Sequence, residues 1–126
     1  MTIGDVINRV DELAPNQYSE EQKIRWLTGL DGKIFAEIIL THQDPVRESF
    51  SAYEDTSCEL LVPFPYAEDL YSWYLQAMIA AQNAESAKFE QLRVLYNDAL
   101  KQFQDWYNRT HRPLTGYGRT ENRFRF

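Results

Sequence analysis

Cysteine and histidine are scarce in this chain of 126 residues, and their scarcity excludes several kinds of site. Cys58 is the one cysteine, so a disulfide within the chain is impossible and a reducing compartment is expected. His42 and His111 lie in unlike sequence contexts, and each is expected to be a solvated loop or terminal residue. Such a set cannot supply a zinc site or the carboxylate-histidine motifs of di-iron bundles. No metal and no cofactor is predicted.

Long apolar runs and recognisable catalytic motifs are also missing. No run approaches the ~20 apolar residues of a membrane span, and MTIGDVINRVDEL at the start lacks the apolar core of a signal peptide. We therefore expect a soluble, intracellular chain with no membrane contact. No phosphate-binding glycine motif occurs, and Cys58 has no adjacent histidine or basic residue to activate it. No catalytic residue is predicted.

The composition itself is that of an ordinary globular domain, but the charge is unevenly placed. Hydrophobic residues make up 44% and charged residues 25%, close to the average for soluble domains. Residues 1–108 carry 8 Lys or Arg against 18 Asp or Glu, which gives −10, whereas residues 109–126 carry five Arg against Glu121, which gives +4. An acidic body argues against general nucleic-acid binding, because that function needs a face that neutralises phosphates.

Two helices are predicted in the first third of the chain. Apolar residues recur at helical spacing over residues 3–13, with Thr2 available as the N-cap. Ser19, followed three residues later by Gln22, has the pattern of a capping box. A second helix should therefore begin at residue 20, and its apolar pattern continues to about residue 40.

The stretch between the second and third helices has no helical period. Residues 41–59 are polar and longer than a usual structureless connection, so they contain a helical turn or have a function. In residues 60–66, Pro63 and Pro65 favour an extended backbone. This second segment is either a short edge strand or an arm packed on the body.

The last two predicted helices differ in their surface. The third, from about residue 67 to 82, is apolar almost all round and leaves only Ser72 and Gln76 as a narrow polar strip. Such a helix is buried on more than one side, by the other helices or by another subunit. The fourth, over residues 85–108, is amphipathic: nine apolar side chains fall within an arc of roughly 140°.

The connection between these two helices is predicted to be tight. Asn83 is the expected N-cap of the fourth helix, and one continuous long helix is the alternative. The fold class is therefore all-α: a small bundle of about four helices with a long C-terminal helix, a long polar loop and an extended basic tail. The predicted domain covers residues 1–113, and the tail covers residues 114–126.

Two features suit contact with another protein. The segment around Trp73 and Tyr74 is rich in aromatic residues, for which core packing is the simpler explanation and a subunit interface the other. The tail combines aromatic and guanidinium groups that suit docking, although a frayed end fits equally well. The candidate interface residues are Trp73, Tyr74, Tyr117, Arg119, Arg123, Phe124, Arg125 and Phe126.

Three segments, in this order and spacing, carry a family resemblance: PNQYSEEQKIRWLTGLDGKIF, LLVPFPYAEDLYSWYL and YNRTHRP. Over about residues 1–113 the chain resembles the head-tail connector, or head-completion adaptor, proteins of tailed bacteriophages and prophages of Gram-positive bacteria. The resemblance implies a mostly helical fold without catalytic residues. One departure is Asn83-Ala84, where the family is expected to have Asn-Gly at the turn between helices.

The resemblance also implies a function. Copies are expected to form a ring beneath the portal protein at the head-tail junction of the virion, after assembly in the host cytoplasm. The ring extends the DNA channel toward tail-side connector or stopper proteins, and DNA passes without sequence-specific binding. The chain is expected to be a homo-oligomeric ring on assembly, with a monomer as the possible state of the isolated chain. The alternative is a small cytosolic helical module that binds a protein partner or regulates it; an enzyme has the least support.

Overall fold

The computed structural model describes residues 1–114 and shows an all-α bundle, as predicted. Residues 115–126 lie outside the described part. Each of the four predicted helices is present and begins within one residue of the expected position. The helices are α1 (Ile3–Leu13), α2 (Glu20–Ile34), α3 (Ala67–Gln82) and α4 (Ser86–Thr110), and a π-helical turn (Phe35–Ile39) continues α2.

The predicted N-caps of the first two helices are confirmed. The Thr2 hydroxyl accepts a hydrogen bond from the Asp5 amide at 3.2 Å, while the Asp5 carboxylate accepts one from the Thr2 amide at 2.9 Å. These two bonds form a capping box. The bond from the Thr2 amide to the carboxylate, together with the Thr2 side chain, lowers the pKa of Asp5. At α2, the Ser19 hydroxyl accepts from the Gln22 amide at 3.1 Å. Local sequence therefore fixes where the first two helices begin.

The connection between α3 and α4 is tight, but its capping differs from the prediction. Asn83 is the C-cap of α3, and its amide donates to the Ile79 carbonyl at 3.0 Å. Glu85 is the residue before α4, and its side chain makes no capping bond. Ala84 has a φ of 58°, which reverses the chain direction within three residues. The Asn83 N-cap and the continuous helix were therefore both wrong, because Ala84 adopts a conformation that glycine usually supplies.

Helix α3 lies in the middle of the bundle. It packs along α4 and also contacts α1 and α2, so most of its surface is covered within one chain. The predicted polar strip is covered as well: Ser72 and Gln76 are both buried, and the Gln76 amide donates to the Ser72 hydroxyl at 3.1 Å. The pairing supplies the partners that buried polar groups need.

Helix α4 closes the core with the face that its sequence predicts. Leu100, Phe103 and Tyr107 are fully buried, whereas Val94 on the opposite side is 57% exposed. Phe103 and Tyr107 belong to an aromatic cluster with Tyr66 at the C-terminal end of the helix. Burial of these large rings accounts for much of the driving force for docking α4 onto α3.

Residues 60–62 are a packed arm and not an edge strand. The extended backbone expected from Pro63 and Pro65 is absent at the end of the segment, where the Tyr66 amide donates to the Pro63 carbonyl at 3.0 Å and closes a turn. Leu60, Leu61 and Val62 are buried in the main core, and the amides of the last two donate to side chains of α2 and α3. Residues 41–59 contain no helical turn. This loop is nevertheless packed against the π-helical turn that continues α2, as the stacking of Phe50 on Phe35 at 5.9 Å shows.

Candidate protein interface and buried polar clusters

Trp73 and Tyr74, the described members of the predicted interface, lie half-buried on α3. Both pack against the core, and the Tyr74 ring lies 5.3 Å from that of Tyr96 on α4. Burial and the nearby charge of Asp31 raise the pKa of Tyr74 to about 12. Part of each side chain therefore remains available to a partner. The other predicted interface residues lie outside the described part of the chain: Tyr117, Arg119, Arg123, Phe124, Arg125 and Phe126.

An exposed apolar side chain that the sequence analysis did not single out is Phe64. It is 91% exposed and lies between Pro63 and Pro65, immediately before α3. Two residues further on, the Tyr66 ring lies 5.4 Å from Trp106 near the end of α4. The two flanking prolines were the available signal, because they keep a short segment from folding back into a helix.

Two further exposed apolar residues lie near the same end of the bundle. Val46 is 49% exposed, and its amide donates to the Tyr107 hydroxyl on α4 at 3.4 Å. Leu40 is 44% exposed and precedes Thr41, whose carbonyl accepts from the Leu114 amide at 2.9 Å. We call Leu40, Val46 and Phe64 the end patch, because each adjoins residues that contact the last helical turns or residue 114.

His42 is buried, which contradicts the expectation of a solvated histidine. Only 2% of the residue is exposed. One ring nitrogen, Nδ1, lies 2.6 Å from the Ile38 carbonyl oxygen, and the other, Nε2, lies 2.6 Å from Oδ1 of Asn108. The ring also packs edge-on against Tyr107 at 5.0 Å. No sequence pattern indicates that His42 is buried, since one of its partners is a side chain 66 residues away.

The main chain on either side of His42 pairs with the last described residues. The Gln43 amide donates to the Arg112 carbonyl at 2.8 Å, and the Leu114 amide donates to the Thr41 carbonyl at 2.9 Å. This short antiparallel bridge fixes residue 114 beside the end of the π-helical turn. His111, the second histidine, is half-buried and stacks on Tyr107 with the ring centres 3.9 Å apart.

A buried carboxylate at Asp31 joins four parts of the fold. Fully buried on α2, it accepts hydrogen bonds from the Tyr53 hydroxyl at 2.5 Å, the Tyr71 hydroxyl at 2.7 Å and the Leu61 amide at 3.2 Å. Tyr71 in turn accepts from the Val62 amide at 2.9 Å. We call this group the Asp31 cluster, and it links α2, the loop, the arm and α3.

The electrostatics of the Asp31 cluster are dominated by burial. Loss of solvent raises the pKa of Asp31 to about 6, although the bonds from Tyr53, Tyr71 and Leu61 and the nearby Arg47 charge act in the opposite direction. Burial and the carboxylate together raise the pKa values of Tyr53 and Tyr71. Both carboxylate oxygens of Asp31 accept hydrogen bonds, from two tyrosine hydroxyls and one backbone amide. The cluster is therefore suited to holding the fold together.

Cysteine chemistry and metal binding find little support in residues 1–114. The half-buried Cys58 thiol has Asp55 as its hydrogen-bond acceptor at 3.9 Å. Within the described part, no three His, Cys, Asp or Glu side chains are grouped so that they could hold a metal ion. A search of the same residues finds no helix with the length and apolar character needed to cross a membrane.

Comparison with known proteins yields no relative. No protein-family model matches the chain, and no curated protein or solved structure gives a significant match.

Proposed function

We propose that this chain is a structural virion protein, a head-tail connector subunit that assembles as a ring under the portal and extends the DNA channel toward the tail. The resemblance of its three sequence segments to connector proteins supports the proposal. The observation that carries it is the end patch: Leu40, Val46 and above all Phe64 are exposed, and each adjoins residues that contact the last turns of α4 or residue 114. An exposed aromatic side chain on a proline-flanked turn is suited to act as an interface anchor.

Ring formation requires a contact between two different surfaces of the same chain. A heterologous contact of this kind closes into a ring when the rotation between copies permits it. The end patch and the acidic surface elsewhere on the body are two such different surfaces. The half-buried Trp73 and Tyr74 remain candidates for the same contact, together with the tail residues.

The net charge is also compatible with a channel. Residues 1–108 carry a net −10, and a surface of this sign repels the phosphates of DNA. A channel wall of this kind lets DNA slide without sequence-specific binding. We propose no catalytic role and no cofactor, and we expect the portal protein and tail-side connector or stopper proteins to be the partners.

The direct test is co-expression with the cognate portal protein followed by electron microscopy. We expect rings of this chain beneath the portal. The variant Phe64→Ser should reduce the fraction of portals that carry a ring, because it removes the exposed anchor. Val94→Ser is the matched control, since Val94 is also exposed and apolar but lies on α4. A chain that stays monomeric at high concentration and does not bind the portal would contradict the proposal.

A further inference from the structure

Residues 52–54 of the loop are fixed on α2 by two bonds of one tyrosine. The Tyr53 amide donates to the Thr28 hydroxyl at 3.2 Å, and its own hydroxyl donates to Asp31 at 2.5 Å. Both partners lie on α2, so the backbone and the ring of Tyr53 are held at the same time. The surface around residues 52–54 is therefore largely formed before any partner binds.

Two adjoining cavities lie on either side of this fixed stretch. One, of about 400 Å³, lies between α2 and the loop and includes Ile24. The other, of about 310 Å³, lies on the side of Arg47 and Cys58. Ala52, Tyr53 and Glu54 line both cavities. We call these two depressions, which share three lining residues, the groove. Each is near the lower limit of the sizes usual for ligand pockets.

The charged residues that line this groove are three Glu and two Arg. Glu21 lines the first cavity, Glu59 lines the second, and Glu54 lines both, while Arg25 and Arg47 are the basic residues that line them. The loop over residues 41–59 has five acidic residues against one Arg, a net charge of −4. A ligand for this groove should therefore combine apolar side chains with positive charge.

One segment of the chain has this composition. Residues 123–126 read Arg-Phe-Arg-Phe, and residues 115–126 carry three Arg against Glu121, a net +2. Bound in an extended conformation, such a segment would present its two phenyl rings on one side and its two guanidinium groups on the other. Alternate residues would lie about 6.8 Å apart, so the two rings would occupy separate positions.

We propose that residues 123–126 of a second copy bind in this groove. Phe124 and Phe126 enter the two cavities, while Arg123 and Arg125 pair with the glutamates at the edges, above all Glu54. The inference rests on the proposed assembly of copies, and it names the surface that receives the tail. It also makes the contact heterologous, since the tail and the groove are different surfaces.

The proposed assembly of copies makes a second copy the source of this segment. Thr28 lines the groove, and Thr41, 13 positions further along α2 and its π-helical continuation, pairs with Leu114, so the groove lies roughly 20 Å from residue 114. Residues 115–122 extend to about 27 Å, which is enough for the chain's own tail to reach the groove as well. Binding within one chain is therefore the competing outcome, and it would leave self-association independent of Glu54.

The test exchanges charges between the two surfaces in full-length chains. Glu54→Arg changes the groove, and Arg123→Glu together with Arg125→Glu changes the tail. We expect either change alone to weaken self-association, measured by sedimentation equilibrium, by roughly tenfold or more. Mixing the two variant chains should restore association between unlike chains, because the altered tail then meets the altered groove.

Glu48→Arg is the matched control. It makes the same charge change in the same loop, at an exposed residue that lines neither cavity, and should leave association near the wild-type value. The groove proposal would be overturned if wild-type and Glu54→Arg chains associated equally, or if neither associated at all. It would also be overturned if mixing the groove variant with the tail variant gave no increase in association. The proposed connector function is tested separately. If Glu54→Arg chains form rings under the portal as readily as wild-type chains do, the connector function stands even though the groove proposal fails.

Discussion

Replacing Asp31 with Asn should change how the stability of this protein depends on pH. The pKa of Asp31 is about 6 in the folded chain, against an ordinary value of 3.8. Between these values the folded chain holds a proton that the unfolded chain has lost, so stability falls as pH rises. The difference of about two pKa units corresponds to roughly 3 kcal/mol, since each unit is 1.36 kcal/mol. About 2 kcal/mol of this should be lost between pH 4 and pH 7.

The assay is guanidinium chloride unfolding at several pH values, followed by the far-ultraviolet signal of the helices. Asp31→Asn keeps the shape of the side chain but removes its titration, so the pH-dependent loss should disappear. The variant should therefore gain about 2 kcal/mol relative to its control as pH rises from 4 to 7. The control is Asp44→Asn, which removes one carboxylate at an exposed position with a φ of 50° that Asn tolerates.

Two stability curves with the same pH dependence would refute this reasoning. In that case burial would not control the protonation of Asp31, and the Asp31 cluster would have to be more hydrated than its contacts indicate. If stability instead rose from pH 4 to pH 7, the three hydrogen bonds donated to Asp31 would have a larger effect on its pKa than burial has.

Three further substitutions test the packing, the capping and the turn, each by denaturant unfolding. Phe103→Ala should lower the free energy of unfolding by about 3–5 kcal/mol because the ring is fully buried. Val94→Ala on the exposed side should lower it by less than about 0.5 kcal/mol. Equal losses of stability would contradict the assigned buried face of α4. Thr2→Ala should cost about 1 kcal/mol through loss of the capping box, and an unchanged midpoint would count against it. Ala84→Gly should stabilise the fold by up to about 1 kcal/mol because φ is positive at this residue. Ala81→Gly, within α3, should destabilise it. A loss of stability in Ala84→Gly would argue against the positive φ at the turn between α3 and α4.

The helices could be predicted because their signals are local. Thr2 and Ser19 cap their helices through bonds to residues three positions away, and the buried face of α4 follows from a period within one segment. The turn was predicted in position but not in chemistry. Ala84 takes the positive φ that a glycine would take more easily, at the place where the family resemblance implies Asn-Gly. Alanine itself does not indicate this conformation.

The buried polar groups could not be predicted, because their partners are distant in the sequence. Asp31 reads as one polar residue on a helix until Tyr53 and Tyr71, 22 and 40 residues away, are brought to it. His42 was misjudged for the same reason, since Asn108 is 66 residues away. The importance of Phe64 was missed because exposure depends on what the rest of the chain leaves uncovered.

The Asp31 cluster also has a consequence for the order of folding. Its bonds join residues that are 22, 30 and 40 positions apart. Closing these loops costs conformational entropy before the bonds can form and stabilise the fold. The hairpin of α3 and α4, joined by three residues, involves far shorter closures and can form earlier. Contacts made after the rate-limiting step mainly slow unfolding. Removal of the Tyr71 hydroxyl by Tyr71→Phe should therefore raise the unfolding rate and leave the refolding rate nearly unchanged. On this reasoning the Asp31 cluster forms late in folding and mainly determines how slowly the folded chain unfolds.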